Sequence, residues 1–108
     1  MASFGDFIRQ EREKNSWTQT EFGAKIGINS SAISRIEHGT KQLSADKLDL
    51  LSKLFNIEIS KISILYFGEK IGRMVYENNC PESVFVVAEE TVEYLKVKHT
   101  KQSKIKFD

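Results

Sequence analysis

Residues 19–38 read QTEFGAKIGINSSAISRIEH, and the way this stretch divides decides the fold. Phe22, Ile26, Ile33 and Ile36 recur every three or four residues on either side of Gly27, which is helical spacing interrupted once. Gly27 stands where a residue of positive φ would close the first helix, and Asn29 follows as an N-cap for the second. So short a turn makes the two helices cross closely. Gly23 falls where the second would press on the first, and a larger side chain there would hold the backbones apart. Small residue, turn glycine and flanking apolars together describe a helix-turn-helix.

The start of the first helix is also explicit. Thr18 and Glu21 form a T-x-x-E capping box, and Trp17 and Phe22 take the hydrophobic-staple positions around it, with Trp17 read as a core aromatic. The second helix runs from about Ser30 to His38 and ends at Gly39, with Ser30, Ser31, Ser34 and Arg35 on its polar face. Upstream, Ser3 and Asp6 can start a helix whose stripe is Phe4, Phe7 and Ile8. The residues RQEREK from Arg9 to Lys14 are solvated unless one charge turns inward.

Downstream, after a loop from Thr40 to Leu43, Ser44 should cap a helix with Leu48, Leu51 and Phe55 on its apolar face, stopped by a left-handed Asn56. A short helix through Ile59 and Ile62 follows, closed by Gly68. Glu69 to Glu77 reads as a helix ended by Asn78 and Asn79, and Pro81 as the N1 proline of the next. From Ser83 to Lys98, Phe85, Ala88, Val92 and Leu95 lie on one face with Val84, Val87 and Tyr94 nearby, a stripe wide enough to need a partner. The segment from Lys96 to Asp108 holds five lysines and one acid. It reads as a basic, flexible tail.

Composition sets limits on chemistry. A chain of 108 residues fits one compact domain, or a small domain with an appendage. Strand signals are sparse, so the fold class is all-α. The single cysteine, Cys80, excludes an internal disulfide and fits a reducing cytoplasm. No stretch reads as secretory or membrane-spanning. His38, His99 and Cys80 are too scattered for a metal site, and no nucleophile–base pair, paired acids or phosphate-cradling glycine loop is visible. The chain is therefore read as non-enzymatic, without metal, cofactor or small-molecule ligand.

The stretch from Gln19 to His38 closely resembles the helix-turn-helix of the Cro and phage-repressor class, the Xre-like transcriptional regulators. The resemblance extends from about Phe7 to Leu65 and implies a five-helix lambda-repressor-like DNA-binding domain over residues 1–67. A helical extension at 68–98, a possible dimerisation element, and a basic tail at 99–108 would follow. It further implies that Gln19, with Thr18 beside it, contacts a DNA phosphate. By the same resemblance Ser30, Ser31, Ser34 and Arg35 face base edges or flanking phosphates, and Lys41 and Gln42 lie in a loop that touches the sugar-phosphate backbone. Arg12 and Glu37 match an inward ion pair tying the first helix to the third. Glu11 departs from the pattern, standing where many relatives have leucine.

A physical case for double-stranded DNA stands beside the resemblance. An exposed helix with short polar side chains at its start and an arginine one turn later can enter the major groove. Residues 1–60 hold eight basic and eight acidic residues, so no strong general field draws the domain onto DNA. Binding then calls for a homodimer on a partly palindromic operator. The stripe from Val84 to Leu95 could form that dimer contact or pack back onto its own domain. A repressor is the leading reading. A restriction–modification controller, an antitoxin-type regulator, or a protein-interaction module that kept the fold without DNA binding would look similar.

Overall fold

A computed structural model describes residues 3–107, with side chains described through Thr100. Six α-helices follow one another: α1 (Phe4–Lys14), α2 (Gln19–Ile26), α3 (Ser30–Glu37), α4 (Leu48–Phe55), α5 (Ile59–Glu77) and α6 (Val84–Phe107). The fold is all-α, with one 3₁₀ turn, Ala45–Lys47, ahead of α4. Among the described residues no helix is long and apolar enough to cross a membrane. The chain divides into two compact units between Ile71 and Gly72.

Local chemistry sets the boundaries in the first unit. Ser3 and Asp6 form a reciprocal capping box on α1, and Thr18 and Glu21 form one on α2, so the N-cap and third-residue backbone N–H groups of both helices are satisfied by side chains. Gly27 sits at φ 74°, and the N–H groups of Gly27 and Ile28 both return to the Gly23 carbonyl, which closes α2 in one residue. Asn29 then accepts from Ala32 N–H at 2.8 Å and starts α3 at once. Gly39 ends α3 at φ 79°, and Thr40 N–H reaches back to the Arg35 carbonyl at 2.9 Å, a Schellman closure. Asn56 stops α4 at φ 55°.

These helices surround one core. Phe22, Ile33, Leu51 and Ile62 are fully buried, and Phe4 meets Tyr66 edge-on while Phe22 stacks on Phe55. Trp17 is half-buried rather than central. It lies parallel to Phe22, and the Lys25 ammonium covers its ring at 4.8 Å from the centroid. Two glycines let backbones touch. A Cβ at Gly23 would come 2.1 Å from the Ile28 carbonyl oxygen, and one at Gly5 would come 2.5 Å from that of Ile36. Gly5 therefore seats α1 directly on the end of α3, a contact the sequence pattern did not single out.

The structure differs from the sequence reading at several joints. Gly68 does not close a helix: α5 passes through it unbroken, because a single interior glycine costs a helix only about 1 kcal/mol and nothing lies within 4 Å of the site to demand a turn. Pro81 is not the first residue of a helix but belongs to a turn whose carbonyl accepts Val84 N–H at 3.0 Å, and α6 begins three residues later than the proline. Ser44 precedes the 3₁₀ turn and its side chain makes no capping bond. The backbone of α6 continues as helix to Phe107, through the segment read as a tail, whose side chains from residue 101 lie outside the described residues.

In the second unit α6 leaves its apolar side chains uncovered: Phe85, Val92 and Leu95 are each about half exposed.

The glycine contacts carry a test. Gly23→Ala forces the α2–α3 turn apart and should lower stability by about 3 kcal/mol in urea unfolding. A second test concerns acid. Backbone N–H donation from Thr18, then its hydroxyl, holds the Glu21 carboxyl below its usual value, as Ser3 does for Asp6. Stability from these carboxylates is present at neutral pH and lost as pH falls through their lowered native values. Glu21→Gln should flatten that acid loss in thermal melts taken from pH 6 downward.

Candidate nucleic-acid interface

The site is built around a buried carboxylate. Glu37 ends α3 with its side chain only 3% exposed, and three donors converge on it. Arg12 Nε donates to Oε2 at 2.6 Å, Arg12 Nη2 to Oε1 at 3.0 Å, and Gln19 Nε2 to Oε1 at 3.1 Å. Arg12 Nη1 donates in addition to the Trp17 carbonyl at 2.9 Å. The hydrogen bond to Glu37 raises the Arg12 pKa further above its ordinary value, so the guanidinium is permanently charged. One carboxylate thus joins the end of α1, the entry to α2 and the end of α3. Bidentate arginine geometry fixes orientation as well as distance.

With its inner side held in this way, α3 turns its remaining face outward. Ala32, Ile33 and Ile36 are buried, whereas Ser30, Ser31 and Arg35 are exposed and Ser34 is half-buried. Among the described residues Arg35 has no ion-pair partner, and its backbone carbonyl is fixed by Thr40 N–H and, at 3.3 Å, by the Thr40 hydroxyl. The guanidinium is thus an unneutralised cation on a rigid base. At the other end, Asn29 satisfies only Ala32 N–H among the first amides of α3. The remaining amides lie at the start of the helix beside the exposed Ser30 and Ser31, where an anion is favoured.

The flanking residues divide. Thr18 is exposed but its hydroxyl is occupied in the capping box, accepting from Glu21 N–H at 3.0 Å. Gln19, read from the sequence as a free phosphate ligand, is half-buried and commits one amide hydrogen to Glu37, leaving its other hydrogen and its carbonyl oxygen available. Lys41 is exposed beside α3. Gln42 is exposed. Behind it the Tyr66 hydroxyl donates to the Leu43 carbonyl and is pushed up in pKa, chiefly by burial. The Tyr66–Leu43 bond therefore braces the loop against α5.

Sequence reasoning missed two supports of this surface. Leu43 is buried and its carbonyl is held by Tyr66, which pins the loop after α3. The Phe4 N–H donates to Glu69 Oε1 at 3.2 Å, so α5 completes the capping of α1. Glu69 lay on the polar side of a helical period, and no local signal connects it with a residue so distant. Glu11, the departure from the resemblance, has its side chain only 13% exposed and is paired with the exposed Lys14 at 2.8 Å.

Among the described residues no group of three or more histidines, cysteines, aspartates or glutamates is placed to hold a metal.

Comparison with known proteins bears on the same region. A helix-turn-helix family model matches residues 8–62. An uncharacterized HTH-type transcriptional regulator, y4wC of Sinorhizobium fredii, is 27% identical over 94 residues, covering 87% of this chain and 63% of that protein. The antitoxin PezA of Streptococcus pneumoniae is 34% identical over 53 residues, 49% of this chain and 34% of its own length. The chain thus spans less than two thirds of either relative. Among solved structures, the P22 c2 repressor in complex with a synthetic operator superposes with a TM-score of 0.52 at 26% identity, covering 57% of this chain and 94% of that one.

The buried ion pair generates a stability test. Glu37→Ala or Arg12→Ala leaves the opposite charge buried and unpaired and should cost about 3–5 kcal/mol. Replacing both by methionine should recover most of that loss, measured by urea denaturation, because the desolvation of two charges is removed with their attraction.

Proposed function

This chain belongs to the helix-turn-helix family of transcriptional regulators, and from that premise we propose that it binds double-stranded DNA in a sequence-specific manner and acts as a repressor by occupying an operator. The observation that carries the reading is the exposed face of α3, where an unpaired Arg35 stands one turn from Ser30 and Ser31 on a helix anchored by the buried Glu37. In the major groove the arginine fork matches guanine O6 and N7, while the serines hydrogen-bond either base edges or phosphates. Ser34 contributes at the margin of this face.

Around it, Thr18 and Gln19 would meet the phosphates beside α2, Gln19 by its free amide atoms, and the exposed Lys41 and Gln42 would add contacts from the loop that Tyr66 braces. The near balance of charge over residues 1–60, eight basic and eight acidic, supports modest affinity for one copy. Two copies, with α3 helices about 34–36 Å apart, would read the halves of a partly palindromic operator. The exposed apolar face of α6 supplies a surface for that pairing. A protein of this kind works where the chromosome is, in the cytoplasm, and performs no covalent chemistry.

A second reading, an antitoxin-type regulator, is favoured by the likeness to PezA over 53 residues. It keeps the same DNA surface and differs in having a protein partner.

The test is fluorescence anisotropy with random duplex DNA at increasing salt, followed by operator selection from a random library. Binding should weaken steeply with salt, each phosphate contact adding about 0.9 to the logarithmic slope. Absent or salt-insensitive binding would overturn the proposal. Arg35→Ala should lose about 1–3 kcal/mol of discrimination at one position of the selected site while its thermal melt stays unchanged. An unaltered preference would remove Arg35 from the reading residues.

A further inference from the structure

Beyond Arg35, the exposed face of α3 ends in a histidine. His38 is the C-cap residue of α3, with helical backbone angles, and it is exposed. The helical period continues the line of Ser30 and Ser34 into His38, with Ser31 and Arg35 alongside. The imidazole therefore belongs to the same face as the serines and stands one turn past the arginine.

The ring is held in one protonation pattern. Nδ1 lies 2.7 Å from the Ser34 carbonyl oxygen. A carbonyl only accepts, so Nδ1 carries a hydrogen and donates it. In the neutral ring Nε2 is then a lone-pair acceptor and offers nothing to a phosphate oxygen. Protonation makes Nε2 a charged donor without turning the ring, because Nδ1 keeps its bond in both forms.

The surroundings make one added charge count. Residues 1–60 hold eight basic and eight acidic residues, and His38 is the one histidine among them. Arg35 and Lys41 stand three residues away on either side, both exposed. The carboxylates on the elements around this end of α3 are turned to other groups. Glu37 takes Arg12 and Gln19, Asp6 on α1 takes the Ser3 N–H and Arg9, and Glu69 on α5 takes the Phe4 N–H. The Tyr66 hydroxyl is directed to the Leu43 carbonyl. Among the described residues the ring has one hydrogen-bond partner, the Ser34 carbonyl, so Nε2 is left for a ligand.

We propose that His38 is a further DNA contact that engages a backbone phosphate as the imidazolium, coupling DNA affinity to pH. The bound form carries one more proton than the free neutral form, so affinity rises as pH falls through the range in which histidine titrates. The inference rests on the DNA-binding reading of α3, and it can fail while that reading stands.

The test is anisotropy of the full chain with random duplex DNA over a salt series at about pH 6 and about pH 8, on either side of the ordinary histidine range. The wild-type logarithmic salt slope should be steeper at the lower pH by about 0.9, the share of one phosphate contact. His38→Gln should give equal slopes at both pH values with an unchanged thermal melt, and His99→Gln should keep the difference. Equal slopes in the wild type, or a difference that survives in His38→Gln, would overturn the proposal. Proton–nitrogen correlation spectra of the free protein at the higher pH should place the ring hydrogen of His38 on Nδ1, and a hydrogen on Nε2 would overturn it equally. Absent or salt-insensitive binding at both pH values removes the DNA-binding reading and this inference with it, whereas salt-dependent binding with equal slopes removes only the role of His38.

Discussion

Glu37 is the constraint to which the DNA-facing half of the molecule answers. A carboxylate buried to this degree is stable as an ion only if its oxygens are filled, and Arg12 and Gln19 fill them from two different elements. The positions of α1, the start of α2 and the end of α3 are thereby settled by one group. Because the arginine arm also grips the Trp17 carbonyl, the segment between α1 and α2 is included in the same arrangement. The exposed face of α3 is what remains once this inner side has been assigned.

Much of that design was legible in the residues. Capping boxes, the turn glycine at Gly27, the cap at Asn29 and the close approach at Gly23 are local, and local chemistry is written over three or four adjacent positions. Arg12 stood out in a charged run only through the family resemblance, and the bidentate geometry confirms nothing that spacing alone could have shown. Gly5, Leu43 and Glu69 were invisible for a common reason: each acts on an element distant in sequence, through a backbone atom that has no pattern. Gly68 misled because a glycine in a helix interior and one at a helix end look the same until packing decides between them. Gln19 illustrates a finer gap, since its place at a helix start was clear while the partner taken by its amide was not.

The two units stand on different physics. The first buries aromatic and aliphatic side chains around Phe22 and Leu51, with every buried polar side-chain atom among the described residues satisfied. The second holds the end of α5 and α6, whose sequence is sorted by charge along its length and whose apolar side chains stay largely exposed. A segment of that kind buries little apolar surface of its own, and its helix rests on local hydrogen bonds more than on a core.

The hydrogen bond from the Phe4 N–H to Glu69 has a meaning for the order of folding. It joins residues 65 apart in sequence, whereas the α2–α3 turn closes over a handful. Loop-closure entropy lets the short turn form early and the long link late. On a ribosome, α2 and α3 would already be paired before the residue that completes α1 had left the tunnel, and the functional boundary of the first unit therefore extends beyond residue 62, where the helix-turn-helix pattern ends.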